Sequence, residues 1–274
     1  MCHSQRRVKQ WVRLFLWLTK KGGVGKTTMT FNLAYYLSAI EDKKVLVVDL
    51  DPQFNLTRKF WSPNDIPEEI KRKVGTSNAL TLFDEPEEFY GKAYLVNERV
   101  SIFGTSAHIS TCNNCPNDQV IAFRDNLNRL SNEYDYVLID CPPSVGNLQF
   151  AALSAARFAL IPTVTDIDST EAVVKVLNSM AKVKGVTNPN LMLLGIFFNV
   201  LKNPPTVIQK HFVQNLEEQH KGLMFQTKIM STTQVQEAST IKQSLFEYAP
   251  QKAKDINLNA FMVEALERIQ ELEK

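Results

Sequence analysis

The chain has 274 residues, of which 44% are hydrophobic and 22% charged, and its formal net charge is +2. This composition fits a soluble globular protein of one large or two small domains and excludes binding to a polyanion by bulk charge alone. No apolar run reaches the roughly 20 residues that a membrane-spanning helix needs.

Arg6, Arg7 and Lys9 precede an apolar run over 11–18. The run is short, lacks a small-residue cleavage site and leads straight into a glycine-rich loop. It therefore reads as a first strand behind a tail of about ten residues, and a cytoplasmic location follows. The loop is Lys20-Lys21-Gly22-Gly23-Val24-Gly25-Lys26-Thr27-Thr28. Residues 28–39 then set Met29, Leu33, Tyr36 and Leu37 at helical spacing. Strand, glycine loop, Lys-Thr and helix together form the context of a phosphate-binding loop. Glycines turn backbone N–H groups inward around phosphate oxygens with no Cβ in the way. Lys26 would reach the β- and γ-phosphates, and the Thr27 hydroxyl would ligate Mg²⁺.

A polar turn precedes a strand over 45–51 that ends in two carboxylates, Asp49 and Asp51. Its nearly continuous apolar run suits a parallel strand buried on both faces, and ligands gather at the carboxyl ends of such strands. The two aspartates are expected to face opposite ways and to take different roles. Residues 61–75 read as a polar surface excursion, 78–83 as a short helix and 84–88 as a solvated acidic loop. A strand over 100–104 and a helix over 119–130 follow. Residues 134–140 then run through four apolar positions into Asp140, the form of a Walker B strand whose carboxylate holds Mg²⁺.

A helix over 148–156, a strand over 158–163, a helix over 169–183 capped at Asp168 or Ser169, and a strand over 191–199 continue the alternation. The chain closes with helices over 206–220, 233–238 and 255–272 and a short strand over 227–229. Strands alternating with helices predict an α/β fold, a mostly parallel twisted sheet covered on both faces. No repeat or linker divides the chain, so a single domain is expected. Cys112 and Cys115 have ligand-like spacing but supply two of the four ligands of a structural zinc site, and the reading favoured is a loop with two thiols.

Three ordered motifs, 21–28, 47–55 and 135–144, resemble those of the ParA/MinD family of deviant Walker ATPases, most nearly the short, Soj-like ParA proteins of chromosome and plasmid partition. The resemblance implies a P-loop NTPase fold, ATP and Mg²⁺ as cofactors, and ATPase activity. It assigns nucleotide contacts to Lys21, Gly22, Gly23, Val24, Gly25, Lys26, Thr27 and Thr28, with Lys21 reaching across a sandwich dimer to the partner's phosphates. Thr27, Asp49 and Asp140 would form the metal site, Asp51 would orient the attacking water, and Asn199 would read adenine or cap its strand. Such proteins form ATP-dependent homodimers, bind DNA non-specifically and are stimulated by a ParB-like partner. About a dozen residues precede the first strand, too few for the helix-turn-helix of long ParA proteins.

The sequence departs from the family at three places. Ser231 and Gln234 stand where Soj-like chains have DNA-holding arginines, leaving Lys202, Lys210, Lys228, Lys242, Lys252 and Lys254 as a replacement patch. Phe54 stands where the family has glycine. The C-terminal helix is acidic and lacks aromatic anchors, which argues against a MinD-like membrane role. An iron–sulfur carrier bridged by Cys112 and Cys115, or an ATPase positioning another cargo, are the other readings.

Overall fold

The computed structural model describes residues 13–17, 22–143, 146–166 and 168–274. Seven strands form one sheet in the order β3-β4-β2-β5-β1-β6-β7. They are β1 (Arg13–Trp17), β2 (Val45–Asp49), β3 (Tyr94–Leu95), β4 (Val100–Phe103), β5 (Tyr136–Asp140), β6 (Phe158–Thr163) and β7 (Met192–Phe198). All pairings are parallel except β3 on β4. This is the α/β P-loop NTPase fold that the alternation of elements predicts.

The strands are apolar on both faces because helices cover both. In β2, Leu46 and Val48 enter one core while Val45 and Val47 enter the other. In β5, Val137 and Ile139 join the first core, and Tyr136 and Leu138 the second. The period-two pleat thus divides each strand between two layers. Helices α4 (Asn117–Ser131), α5 (Asn147–Ala155) and α6 (Ser169–Val186) cover the first face. Helices α1 (Lys26–Tyr35), α10 (Pro250–Asp255) and α11 (Leu258–Leu272) cover the second.

Several expectations shift. The 61–75 excursion is anchored rather than loose: α2 (Thr57–Phe60) leads into it, α3 (Glu68–Lys71) lies within it, and Ile70 is wholly buried. Residues 227–229 form no strand; the chain around them meets the end of the sheet through isolated bridges, Ile196 to Met224 and Leu201 to Met230, and through the Ile229 amide, which donates to the Phe198 carbonyl. The C-terminal helix starts at Leu258, because Asn257 at φ 65° separates it from α10. Helices α7 (Val207–Gln219), α8 (Gln234–Thr240) and α9 (Leu245–Tyr248) complete the chain. No helix among the described residues is long and apolar enough to cross a membrane.

Candidate nucleotide site

The glycine loop lies between β1 and α1, at the carboxyl ends of the strands. Gly23 and Gly25 adopt φ of 76° and 88°, the left-handed region that glycine enters without steric cost. Gly25 also lies so close to Asn199 that a Cβ on it would sit 2.5 Å from the Asn199 amide nitrogen. That nitrogen donates to the Val24 carbonyl at 2.7 Å, while the Asn199 carbonyl oxygen accepts from the Val200 amide. Asn199, at the end of β7, therefore braces the loop from beneath. Gly22 and Gly23 are exposed with open space around them. Thr28 is half-buried on the first turn of α1, and its carbonyl accepts from Asn32. Lys21 lies outside the described residues.

Lys26 begins α1 and is buried. Burial lowers its pKa, and the charges of Asp140, Cys141 and Asp51 oppose that shift. Thr27 donates its hydroxyl to one carboxylate oxygen of Asp140 at 2.6 Å. The other Asp140 oxygen is buried and has no hydrogen-bond partner among the described residues. Asp49 and Asp140 end their strands side by side, paired in the β2–β5 register. Burial pushes both carboxyls up; for Asp140 the neighbouring Asp49 adds to this, against the opposing Thr27 and Lys26.

Asp49 is wholly buried, and its carboxylate is engaged by protein donors. It accepts from the Thr57 amide at 2.8 Å, the Thr57 hydroxyl at 2.7 Å and the Asp51 amide at 3.1 Å. Thr57 in turn accepts from the Thr105 amide. The strand ends at Asp49, and Asp51 begins a turn in which its side chain accepts from Gln53 and its carbonyl from Phe54. The expectation that Asp49 and Asp51 face opposite ways rests on a wrong period, since residues two apart share a strand face; Asp51 lies past the end of β2, its amide donates to the Asp49 carboxylate, and its charge acts on both Asp49 and Lys26. Phe54, at the family's glycine position, takes φ 45° and lies under the Arg58 guanidinium at 4.0 Å.

The arrangement combines an inward-turned glycine loop, a buried cation and an orphaned carboxylate oxygen beside a hydroxyl. A hard divalent cation such as Mg²⁺ takes oxygen ligands and keeps several waters, so this donor set fits it. Sequence reasoning missed Thr57, which ties Asp49 to the next segment; nothing in the residue pattern distinguishes it from the polar residues around it.

A family profile described as an AAA domain matches residues 14–193. The chain is 28% identical to the chromosome-partitioning ATPase Soj of Thermus thermophilus over 95% of this chain and 98% of that protein. The chain belongs to the ParA-like family of partitioning ATPases. Among solved structures, an ATP complex of a Cyanothece McdA variant aligns with a TM-score of 0.78 at 22% identity, covering 93% of this chain and 96% of that one. Cobyrinic acid a,c-diamide synthase from Mycobacterium smegmatis, with bound ADP and magnesium, aligns at 0.66 and 23% identity, covering 89% and 96%.

Cys112 and Cys115 are buried, and among the described residues no three His, Cys, Asp or Glu side chains cluster to hold a metal. Of the six lysines of the replacement patch, Lys228 pairs with Glu217, and Lys242 donates to the Arg58 carbonyl.

Proposed function

We propose that the protein is an ATP-hydrolysing switch of the partition type, dimeric with ATP bound and released by hydrolysis. The observation that carries this is the Thr27–Asp140 contact, with the second Asp140 oxygen buried and unpaired beside Lys26. That geometry supports Gly22 to Thr28 as the phosphate cradle, Lys26 as the γ-phosphate cation, and Thr27 with Asp140 as the metal-holding pair. Mg²⁺, when bound, neutralises charge on the transferring phosphoryl group. Asp49 serves this pair by fixing the loop that starts at Asp51, and Asp51 orients the attacking water. Asn199 holds the cradle's shape rather than reading the base, because its amide is engaged with Val24. Lys21 reaches from one protomer to its partner's phosphates. Loops held by γ-phosphate and metal relax on hydrolysis, which converts chemistry into dimer release.

The matrix is non-specific DNA, and a ParB-like partner stimulates hydrolysis. A second reading, an ATPase positioning another cargo in the cytoplasm, draws support from Ser231 and Gln234 at usual arginine positions and from the engagement of Lys228 and Lys242. One experiment separates them: ATPase activity and gel shift of a random duplex, with ATP and with ADP, over a salt series. ATP-dependent, salt-sensitive binding is expected, since lysine–phosphate contacts release counterions. Hydrolysis without DNA binding at low salt selects the second reading. Lys26→Ala is expected to abolish ATP binding in equilibrium dialysis, and retained binding would overturn the site.

A further inference from the structure

At the opposite end of the sheet from the nucleotide site lies a groove of roughly 540 Å³, between the start of β7, the turn at Gly222–Leu223 and the last turns of α11. Its construction is specific. Gly195 takes φ 156°, and a Cβ there would lie 2.6 Å from the Phe225 ring and 2.9 Å from the Arg268 guanidinium. The missing side chain lets both groups lie flat against the edge strand. Arg268 stacks on Phe225 at 4.1 Å and donates to the Leu194 and Met224 carbonyls and to Glu264. Glu264 also accepts from the Gln226 and Thr227 amides. Arg268, the one cation lining the groove among the described residues, is thereby engaged with partners of its own.

What stays unpaired is apolar and acidic. Leu223 and Leu272 are 39% and 42% exposed, and the half-buried Leu193 of β7 lines the groove with them. Glu267 and Glu271, one helical turn apart on α11, line the same groove and make no ion pair among the described residues. Two adjacent carboxylates with no internal cation, bordering exposed leucines, complement a ligand that brings both positive charge and apolar side chains. The volume falls within the range of small-molecule clefts, yet the mix of open leucines and rim carboxylates matches a peptide.

We propose that this groove docks a segment of a partner protein in which apolar residues are flanked by lysine or arginine. Because the groove is at the amino ends of the strands and the nucleotide site at their carboxyl ends, the partner is held whether the protein carries ATP or ADP.

The test uses a fluorescein-labelled 12-residue peptide carrying two leucines four apart among lysines, with a second peptide in which glutamates replace the lysines. Each leucine is exchanged in turn for a photo-crosslinking benzoylphenylalanine. Fluorescence anisotropy is expected to show the basic peptide binding at least about tenfold tighter than the acidic one, a difference of about 1.4 kcal/mol. The affinity should be equal in Mg–ATP and Mg–ADP, and cross-links should fall on 222–226 or 264–272. Glu267→Lys/Glu271→Lys and, separately, Leu223→Ser should each weaken binding while leaving the circular dichroism spectrum and ATPase rate unchanged. Equal affinity for the two peptides, cross-links elsewhere, nucleotide-sensitive binding, or self-association through this face in sedimentation without peptide would each overturn the proposal.

Discussion

Two residues at the site carry opposing costs that can be measured. Burial raises the Asp140 carboxyl, and the adjacent Asp49 raises it further. A raised folded-state pKa means that the nucleotide-free folded protein holds more protons than the unfolded chain. Its stability therefore falls as pH climbs from the ordinary carboxylate value, about 4, toward the raised one. Asp140→Asn removes one charge of the pair, keeps an acceptor for Thr27, and is expected to flatten this slope. At pH 7.5 it should stabilise the nucleotide-free protein by about 1–2 kcal/mol while abolishing Mg²⁺-dependent ATP binding. Urea titrations at pH 5 and 7.5 check this, and an unchanged slope would refute it. Gly25 poses the converse case, a residue that must stay small. Gly25→Ala adds a Cβ to a left-handed backbone against Asn199 and is expected to cost about 1–3 kcal/mol. Adding Asn199→Ala should recover part of that loss, since only the clash, not the backbone conformation, is relieved.

At the scale of elements, the hydrophobic runs make most of the architecture readable in the sequence. Strands β2, β5 and β6 are buried on both faces, as is β7 from Leu194 onward, so their apolar runs stand out and end within a residue or two of their predicted limits. Lys26, Thr27 and the strand-end aspartates were legible because glycine turns and terminal carboxylates are local patterns. The short elements were not: α2, α3, α9 and the two-residue β3 gain their stability from tertiary packing rather than from their own periodicity. Thr57 was hidden for the same reason, since its role depends on a contact eight residues back in sequence with Asp49. That contact makes α2 the physical extension of the Asp51 turn. Thr57→Val keeps the shape but removes the hydroxyl that donates to Asp49 and accepts from Thr105. It is expected to destabilise the protein by about 1–3 kcal/mol, the cost of unsatisfied buried polar groups. Turnover should fall more than ATP affinity, because the loop that carries Asp51 loosens while the glycine cradle is untouched. Steady-state kinetics that lose affinity and keep turnover would contradict this.

For the whole molecule, the decisive feature is how widely the site is gathered. Its groups come from residues 22–28, 49–57, 140 and 199, at the start of α1 and at or just past the carboxyl ends of β2, β5 and β7. The chain between them builds both cores, so the site is complete only when the entire sheet is folded. A ligand that binds only the folded state stabilises it by about 2.7 kcal/mol at a hundredfold excess over Kd. In a single cooperative domain of this size that energy raises the unfolding midpoint by roughly 5–10 °C. We therefore expect one calorimetric transition, shifted as a whole by Mg–ATP. Asp51→Ala, which leaves the cradle and metal pair intact, should retain the shift, whereas Lys26→Ala should lose it. If the sequence instead formed two independent domains, one boundary would fall among the segments that supply the site. Calorimetry would then show two transitions, only one of them moving with nucleotide. The contact of Asn199 with the glycine loop, joining residues 175 positions apart, argues for the single transition.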